Sequence, residues 1–302
     1  QAGLLLRPDL MHYGGLSGVL HAGVAIVSLT LIVRTRGGRR TVIHVNYESA
    51  VVDQVYFPQI EVVGDIANTV WQLAEALDAP QPHWDFAFFD RVRTALCENI
   101  AELAADDRFP VHGPHLVRTL RDALEPHDIV CLDNGLYKLW FARNDRCRAP
   151  NTLLLDNALA TMGAGLPSAM MASMLFPQRR VLAVCGDGGF MMNSQEMETA
   201  VRLGLNLVVI VLNDSAYGMI RWKQAVDGFT DYGMTFSNPD FVKYAEAYGC
   251  KGHEVTAIEQ FIPTLEAAFN EGGVHLVSVP VDYSENQRVL VDELRQAFPG
   301  NG

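Results

Sequence analysis

Two aspartates each end a long apolar run in the second half of the chain. Asp187 follows "VLAVCG", and Asp214 follows "NLVVIVLN" twenty-seven residues later. Continuous runs of this kind are typical of buried parallel strands, whose carboxyl ends line the ligand crevice of such sheets. If the two strands are neighbours, the carboxylates share one small space and repel each other unless a cation lies between them. Mg²⁺ prefers oxygen ligands, so the spacing predicts a magnesium site.

Glycines surround the first of these acids, in the sequence "CGDGGF". Gly186, Gly188 and Gly189 would let a phosphate group approach the backbone. A helix predicted to begin near Ser194 would direct free N–H groups to the same place. In the alternative interpretation, Asp187 caps that helix and Asp214 belongs to an ordinary turn. The full pattern of acid, glycines, helix, strand and second acid favours a metal–diphosphate site.

The elements around these acids alternate between strand and helix, which predicts an α/β fold with a parallel sheet and helices on both faces. Apolar runs predict strands at 128–133, 179–187, 206–214 and 274–282. Helical spacing predicts helices at 115–126, 160–176, 194–204 and 239–249.

The first third of the chain has a different pattern, typical of the end of another α/β domain. Strands are expected at 39–49 and 61–66, and helical spacing follows over 66–77 and again over 86–105. The expected division is a partial central domain at 1–80, of which 1–32 has no clear period, and a linker with a connecting helix at 81–112. The metal–diphosphate domain then covers 113–290 and a tail covers 291–302.

Composition and charge exclude several classes of protein. The 302 residues carry a formal net charge of −12, which argues against a nucleic-acid partner. The five cysteines show no CxxC spacing, which favours a reducing cytoplasm without disulfides or a zinc site. The apolar stretch 16–33 contains His21 and several small or hydroxyl residues, so a buried core segment is expected there and not a membrane span.

The longer sequence stretches around the two acids resemble a known family. "DNALATMGAGLPSAMMA", "GDGGFMMNSQEMETAVRLGLNLVVIVLND" and "YGMIRWKQ" resemble the acetolactate synthase branch of the thiamine-diphosphate enzymes, the acetohydroxyacid synthase large subunits. The resemblance extends over about residues 33–290 and points to the carboxyl-terminal portion of such an enzyme. It implies the thiamine-diphosphate-binding fold for the parallel-sheet domain.

The resemblance also implies roles for individual residues. Asp187, Asp214 and the carbonyl of Ala216 would bind Mg²⁺; aspartate stands at 214 where many relatives have asparagine. The backbone of Gly135, Leu136, Gly186, Gly188 and Gly189 would hold the diphosphate of thiamine diphosphate. Met162 would press the cofactor into its bent form, and the Ala160 carbonyl would accept a hydrogen bond from its amino group. A plain core role for Met162 stays open.

Four further side chains are expected toward the substrate: Met192, Met219, Ile220 and Trp222. The tryptophan stands one position earlier than in better-known relatives, so Trp222 is equally compatible with a core position.

The implied activity is decarboxylation of pyruvate and transfer of the hydroxyethyl unit to a second 2-keto acid, which gives 2-acetolactate. The family's activating glutamate lies on a separate pyrimidine-binding domain, so no catalytic residue is expected in this chain. A homo-oligomer or a complementing chain is the expected partner. The alternatives are a catalytically inactive Mg²⁺–diphosphate-binding module and a related 2-keto-acid decarboxylase or glyoxylate carboligase. Some relatives carry FAD in the central domain, and whether this protein does is left open.

Overall fold

The computed structural model describes residues 29–34, 40–50, 57–76, 86–156 and 159–293. The chain divides into two compact units, Gln1–Ala95 and Leu96–Gly302. Most of the segment 1–32, the first residues of the expected linker (81–85) and most of the tail at 291–302 lie outside the described residues.

A three-stranded sheet forms the described core of the first unit. Its strands are β1 (Leu29–Arg34), β2 (Arg40–Asn46) and β3 (Ile60–Val63), with β1 antiparallel and β3 parallel to the central β2. Helix α1 (Ile66–Ala76) follows, and Asp65 begins it by accepting a 2.7 Å hydrogen bond from the Asn68 amide. A carboxylate that accepts from an amide of the first turn is a common helix start. Strands β2 and β3 and helix α1 occur where the sequence predicts them, whereas β1 was not predicted.

Seven parallel strands form the sheet of the second unit, in the order β4-β10-β8-β7-β5-β6, with β9 also paired to β10. They are β4 (Val111–His112), β5 (Ile129–Leu132), β6 (Leu153–Leu155), β7 (Val181–Gly186), β8 (Leu207–Asn213), β9 (Lys251–Glu254) and β10 (Val274–Asp282). The four predicted strands are the four with continuous apolar runs. The three missed strands are short or polar, so they lack the signal of a buried strand.

Helices cover both faces of this sheet, as predicted. Helix α2 (Phe86–Ala104) precedes it, and the sheet helices are α3 (Gly113–Ala123), α4 (Tyr137–Asn144), α5 (Gly165–Leu175), α6 (Asp187–Asn193), α7 (Glu196–Arg202), α8 (Gly218–Val226), α9 (Phe241–Ala247) and α10 (Phe261–Glu271). Helices α5, α7 and α9 share one buried apolar cluster with alternate residues of β7 and β8. On the other face, α10 contacts β8 and α3. Successive strand residues point to opposite faces, so both faces of these strands are buried.

The predicted helix start near Ser194 is wrong. Helix α6 begins at Asp187, directly after the extended residue Gly186, and Ser194 lies at the break between α6 and α7. Two glycines in its first turn disfavour a helix by propensity alone. The tertiary structure overrides this preference, because the space where a Cβ of Gly188 would lie is filled by the Tyr217 ring.

Within the described residues, no helix is long and apolar enough to cross a membrane.

Candidate functional site

The two acids that motivated the magnesium prediction follow adjacent strands. Strands β7 and β8 pair in parallel, with Gly186 opposite Leu212, so Asp187 and Asp214 emerge side by side at one edge of the sheet. A pocket opens at this edge. Eleven of the fourteen predicted site residues line it, namely Gly135, Leu136, Met162, Gly186, Asp187, Gly188, Gly189, Asp214, Ala216, Met219 and Ile220.

The remaining three predicted residues lie outside the pocket lining. Ala160 is exposed and has a φ of 52°. Met192 is 48% exposed, and its Cβ would lie 3.1 Å from a Cβ added to Gly163. Trp222 is half-buried on α8, and its Nε1 is buried without a hydrogen-bond partner among the described residues.

Asp187 is held by three hydrogen bonds and is only 1% exposed. Its Oδ1 accepts from the Gly188 amide at 2.8 Å. Its Oδ2 accepts from the Ser215 amide at 2.7 Å and from Nδ2 of Asn238 at 2.7 Å. Burial raises the pKa of this carboxyl, whereas the hydrogen bonds favour its charged form.

Asp214 has a strongly raised pKa, which reflects its burial and the repulsion between the two acids. Burial and the charge of Asp187 together raise the pKa of the Asp214 carboxyl to about 7. Among the described residues, no lysine or arginine lines the pocket, and Arg221, which lies outside the lining, offsets the charge of Asp214 only in part. A buried and a half-buried carboxylate that repel each other at a pocket are suited to a divalent cation.

The donor set for such a cation consists of oxygen atoms. No group of three or more His, Cys, Asp or Glu side chains that could hold a metal occurs in the described part of the chain. Two carboxylates would therefore be completed by backbone or non-protein oxygens, which is a common arrangement for Mg²⁺ with a phosphate ligand.

The backbone carbonyl of Ala216 is available for this purpose. Ala216 pairs with Thr235 in a short antiparallel bridge. In this bridge the Tyr217 amide donates to the Met234 carbonyl, and the Phe236 amide donates to the Ser215 carbonyl. Ala216 is therefore a non-hydrogen-bonded residue of the bridge, and its N–H and C=O point away from the Thr235 strand.

Backbone strain occurs beside the two acids, at Ser215. Ser215 has a φ of 53°, a left-handed value that is uncommon for residues other than glycine. The conformation lets the Ser215 amide donate to Asp187 while its carbonyl accepts from Phe236. Strained non-glycine residues occur preferentially at functional sites.

A third acid at a strand end was overlooked in the sequence. Asp133 follows β5, the other neighbour of β7, and is fully buried. Its Oδ2 accepts from the Gly163 amide at 3.0 Å, and its Oδ1 accepts from the Ala164 amide at 3.1 Å. Asp133 thus holds the backbone next to Met162 at the start of α5. Its position at the end of an apolar run was the signal that could have identified it.

A buried amine supports the same region from the other side. The Lys138 ammonium donates to Oδ1 of Asn134 at 2.5 Å and to the carbonyl of Asp156. Nδ2 of Asn134 donates to the Thr161 carbonyl at 2.7 Å. Burial lowers the pKa of Lys138. No local pattern marks these residues, because they are brought together by the pairing of β5 with β6 and β7.

Comparison with known proteins agrees with the geometry. Residues 133–279 match the family described as "Thiamine pyrophosphate enzyme, C-terminal TPP binding domain". The chain is 34% identical over 268 residues to an acetolactate synthase of Bacillus subtilis, which covers 86% of this chain and 46% of that protein.

Two further relatives carry similar names. A catabolic acetolactate synthase of Raoultella terrigena is 35% identical over 258 residues, 84% of this chain and 46% of that protein. The large subunit of acetolactate synthase isozyme 2 of Escherichia coli is 28% identical over 261 residues, 83% of this chain and 45% of that protein. The chain therefore spans about half the length of the curated relatives it matches.

Proposed function

Because the chain belongs to the thiamine pyrophosphate enzymes, we propose that the protein is a carboligase of the acetolactate synthase type. Residues 133–279 match the C-terminal domain of that family. It would decarboxylate pyruvate and join the hydroxyethyl unit to a second 2-keto acid, giving 2-acetolactate. The observation that carries the proposal is the pair Asp187 and Asp214, which meet at adjacent strand ends and repel each other in one pocket.

In the proposed enzyme this pair holds Mg²⁺ together with the Ala216 carbonyl. Oδ1 of Asp187 accepts a single hydrogen bond and keeps room for a cation. Asp214 contributes a carboxylate where asparagine would contribute a neutral oxygen, so it binds the metal through charge as well as through its lone pairs. The cation in turn removes the repulsion that raises the pKa of Asp214.

The diphosphate would lie against the backbone at the ends of β5 and β7. Gly135 and Leu136 line the pocket immediately before α4, whose eight residues begin at Tyr137. The free N–H groups at a helix start favour a phosphate. The Tyr137 hydroxyl accepts a 3.0 Å hydrogen bond from the Gly186 amide, which joins the α4 start to the end of β7.

Met162 would contact the organic part of the cofactor. It lines the pocket, and the adjacent Gly163 and Ala164 amides are held by the buried Asp133. When bound, thiamine diphosphate supplies a carbon nucleophile and an electron sink that no protein side chain provides, while the protein binds and orients it. The side chains proposed to face the substrate are Met192, Met219, Ile220 and Trp222.

In the proposed enzyme, this chain supplies the residues that bind the diphosphate and the metal. The activating glutamate would come from the pyrimidine-binding domain of the complete protein, of a second copy or of a complementing chain. The catalytic activity is therefore proposed for that assembly, with Mg²⁺ as its metal and 2-keto acids as its substrates.

A binding measurement tests the cofactor proposal. The affinity of the purified chain for thiamine diphosphate would be measured by calorimetry, with Mg²⁺ and with EDTA. We expect binding that requires the metal and that weakens by at least about tenfold in Asp187→Asn, since a neutral amide replaces a charged ligand. Asn206→Ala is the matched control, because it removes a hydrogen bond to the Gly273 amide at the opposite end of β8. Equal binding with and without metal would refute the proposed site.

The activity requires a second measurement. The complete protein would be assayed for acetolactate and CO₂ from pyruvate, alongside glyoxylate and longer 2-keto acids. Acetolactate from pyruvate is the expected product. Turnover of glyoxylate alone would assign a different carboligase, and cofactor binding without any turnover would favour a binding module.

A further inference from the structure

Asn238 connects the ends of β7 and β8 through one side-chain amide. Its Nδ2 lies 2.7 Å from Oδ2 of Asp187, 3.0 Å from Oδ1 of Asn213 and 3.4 Å from Oγ of Ser215. Asn238 is fifty-one residues from Asp187 in the chain. No residue type or spacing around it suggested a role in the sequence.

The orientation of this amide follows from its neighbours. The Asp187 carboxylate can only accept hydrogen bonds when it is ionised, so the amide must direct its nitrogen toward it. The Asn238 Oδ1 is buried on the other side, without a hydrogen-bond partner among the described residues. The reversed orientation would place this oxygen against the carboxylate and against Oδ1 of Asn213.

The segment that carries Asn238 is fixed at both ends. On one side, Phe236 donates its amide to the Ser215 carbonyl at 3.0 Å. On the other side, Asp240 begins α9 by accepting from the Lys243 amide at 3.1 Å. Asn238 is thereby held beside the acids by two independent attachments.

The two oxygens of Asp187 consequently differ. Each carboxylate oxygen accepts about two hydrogen bonds or metal bonds. Oδ2 already accepts two, from the Ser215 amide and from Asn238. Oδ1 accepts one, from the Gly188 amide, and has a free position. A cation can therefore bind Oδ1 but cannot bind both oxygens at once while Asn238 is in place.

We propose that Asn238 is a positioning residue that restricts Asp187 to one-oxygen coordination and so makes the site select Mg²⁺ over Ca²⁺. Mg²⁺ requires a compact octahedron of six oxygens, whereas Ca²⁺ accepts six to eight and often takes both oxygens of a carboxylate. By blocking the second oxygen, Asn238 removes a ligand that only the larger ion would use. The inference rests on the metal site of the proposed function.

The chemistry of asparagine suits this role better than that of a charged residue. A lysine here would compete with the metal for the two carboxylates, and an aspartate would repel Asp187. The neutral amide donates to Asp187 without adding a charge of either sign to the site.

The test compares metal affinities and requires no turnover. Dissociation constants for Mg²⁺ and for Ca²⁺ would be measured by calorimetry on the full chain, with thiamine diphosphate present, for the wild type, Asn238→Ala and Asn238→Leu. The leucine variant keeps the branched shape and the number of side-chain heavy atoms, so it fills the site if the alanine variant leaves a cavity. Asn206→Ala and Asp187→Asn are the controls, and the thermal midpoint of each variant in EDTA reports its fold.

We expect both Asn238 variants to bind Mg²⁺ about 10- to 100-fold more weakly, the usual effect of removing a group that orients a metal ligand. Their Ca²⁺ affinity should fall less, so the ratio of Mg²⁺ to Ca²⁺ affinity should decrease, while Asn206→Ala leaves it unchanged. An unchanged Mg²⁺ affinity, or an equal loss for both ions, would overturn the proposal while Asp187→Asn still loses binding. If the wild type and Asp187→Asn bind Mg²⁺ equally poorly, the metal site of the proposed function fails as well.

Discussion

A Cβ atom added to Gly189 would lie 2.2 Å from Oδ2 of Asp133, so the first turn of α6 packs directly on the carboxylate that ends β5. That carboxylate also accepts hydrogen bonds from the Gly163 and Ala164 amides. Gly189, two residues after the first predicted metal ligand, is thus required by protein packing, in addition to any approach of a phosphate.

Gly189→Ala should therefore destabilise the protein although alanine favours helices. The helix preference of alanine is worth about 1 kcal/mol. Displacing a buried carboxylate that holds two amides should cost more, about 2–4 kcal/mol. Urea denaturation measures the difference. The control is Gly64→Ala, where no atom lies within 4 Å of the added Cβ. If both variants are equally stable, the packing argument is wrong.

The strained backbone at Ala160 gives a second prediction. A φ of 52° is tolerated by glycine but disfavoured for β-branched residues. Ala160→Gly should be as stable as the wild type or more so, and Ala160→Val should lose about 1–3 kcal/mol. The denaturation midpoints should decrease in the order Ala160→Gly, wild type, Ala160→Val. Ala257→Val serves as the control, because Ala257 is extended with a φ of −152°.

Asp214 should destabilise the metal-free protein at neutral and higher pH. Its pKa is raised, so the stability that its protonated form contributes is present at low pH and lost as the pH rises through about 7. In EDTA at about pH 8, Asp214→Asn should be more stable than the wild type by about 1–3 kcal/mol. Added Mg²⁺ should reverse the order, because the charge of aspartate then binds the ion. An Asn variant that is less stable in EDTA would show that Asp187 and Asp214 do not repel in the folded protein.

Two stacked histidines should make the fold sensitive to acid. His275 is fully buried, and its Nε2 donates to the Gly272 carbonyl, so its Nδ1 accepts from Nε2 of His253 at 3.0 Å. Burial and the neighbouring His275 lower the pKa of His253. Between the two pKa values, the unfolded chain binds more protons than the folded protein. The stability that the neutral His253 contributes is therefore complete above about pH 6.5 and decreases at lower pH.

The unfolding free energy of the wild type and of His253→Asn, measured from about pH 8 to pH 5, tests this sign. The wild type should lose more stability than the variant over this range. His115, whose pKa burial also lowers, is present in both proteins and cancels in the comparison. Parallel curves would mean that His253 does not contribute. Lys251 and Glu271 also face the pair, so the measurement should be repeated with salt to screen them.

A buried ion pair attaches α4, and with it the Gly135–Leu136 turn, to α3. Arg121 and Asp145 are 6% and 1% exposed and form two hydrogen bonds of 2.7 and 2.8 Å. Removing one partner leaves a buried charge, so Asp145→Ala should cost about 3–5 kcal/mol. The double variant Arg121→Met with Asp145→Leu should recover most of that loss. In contrast, Glu198→Ala, which breaks an exposed pair with Arg202, should cost less than about 1 kcal/mol.

The long buried strands were predictable because their signal is local. Each central strand is mostly apolar and is followed or ended by a polar residue, which is the pattern of a strand buried on both faces. The edge strands β4, β6 and β9 were missed because two or three residues, or a polar run such as "KGHE", carry no such pattern. The start of α6 at Asp187 was missed because propensity disfavours glycine, whereas tertiary contacts decide the position.

The sequence by itself therefore determined the fold class, the position of one acid at each of two strand ends, and the expectation of a metal and a diphosphate. Only the tertiary structure decided that β7 lies beside β8, that Asp133 holds the start of α5, and that Asn238 approaches Asp187. The physical reason is the range of the interactions. Apolar periodicity and strand-end acids are encoded within a few residues, whereas the strand order brings together side chains that are thirty to fifty residues apart, and no local pattern specifies that order.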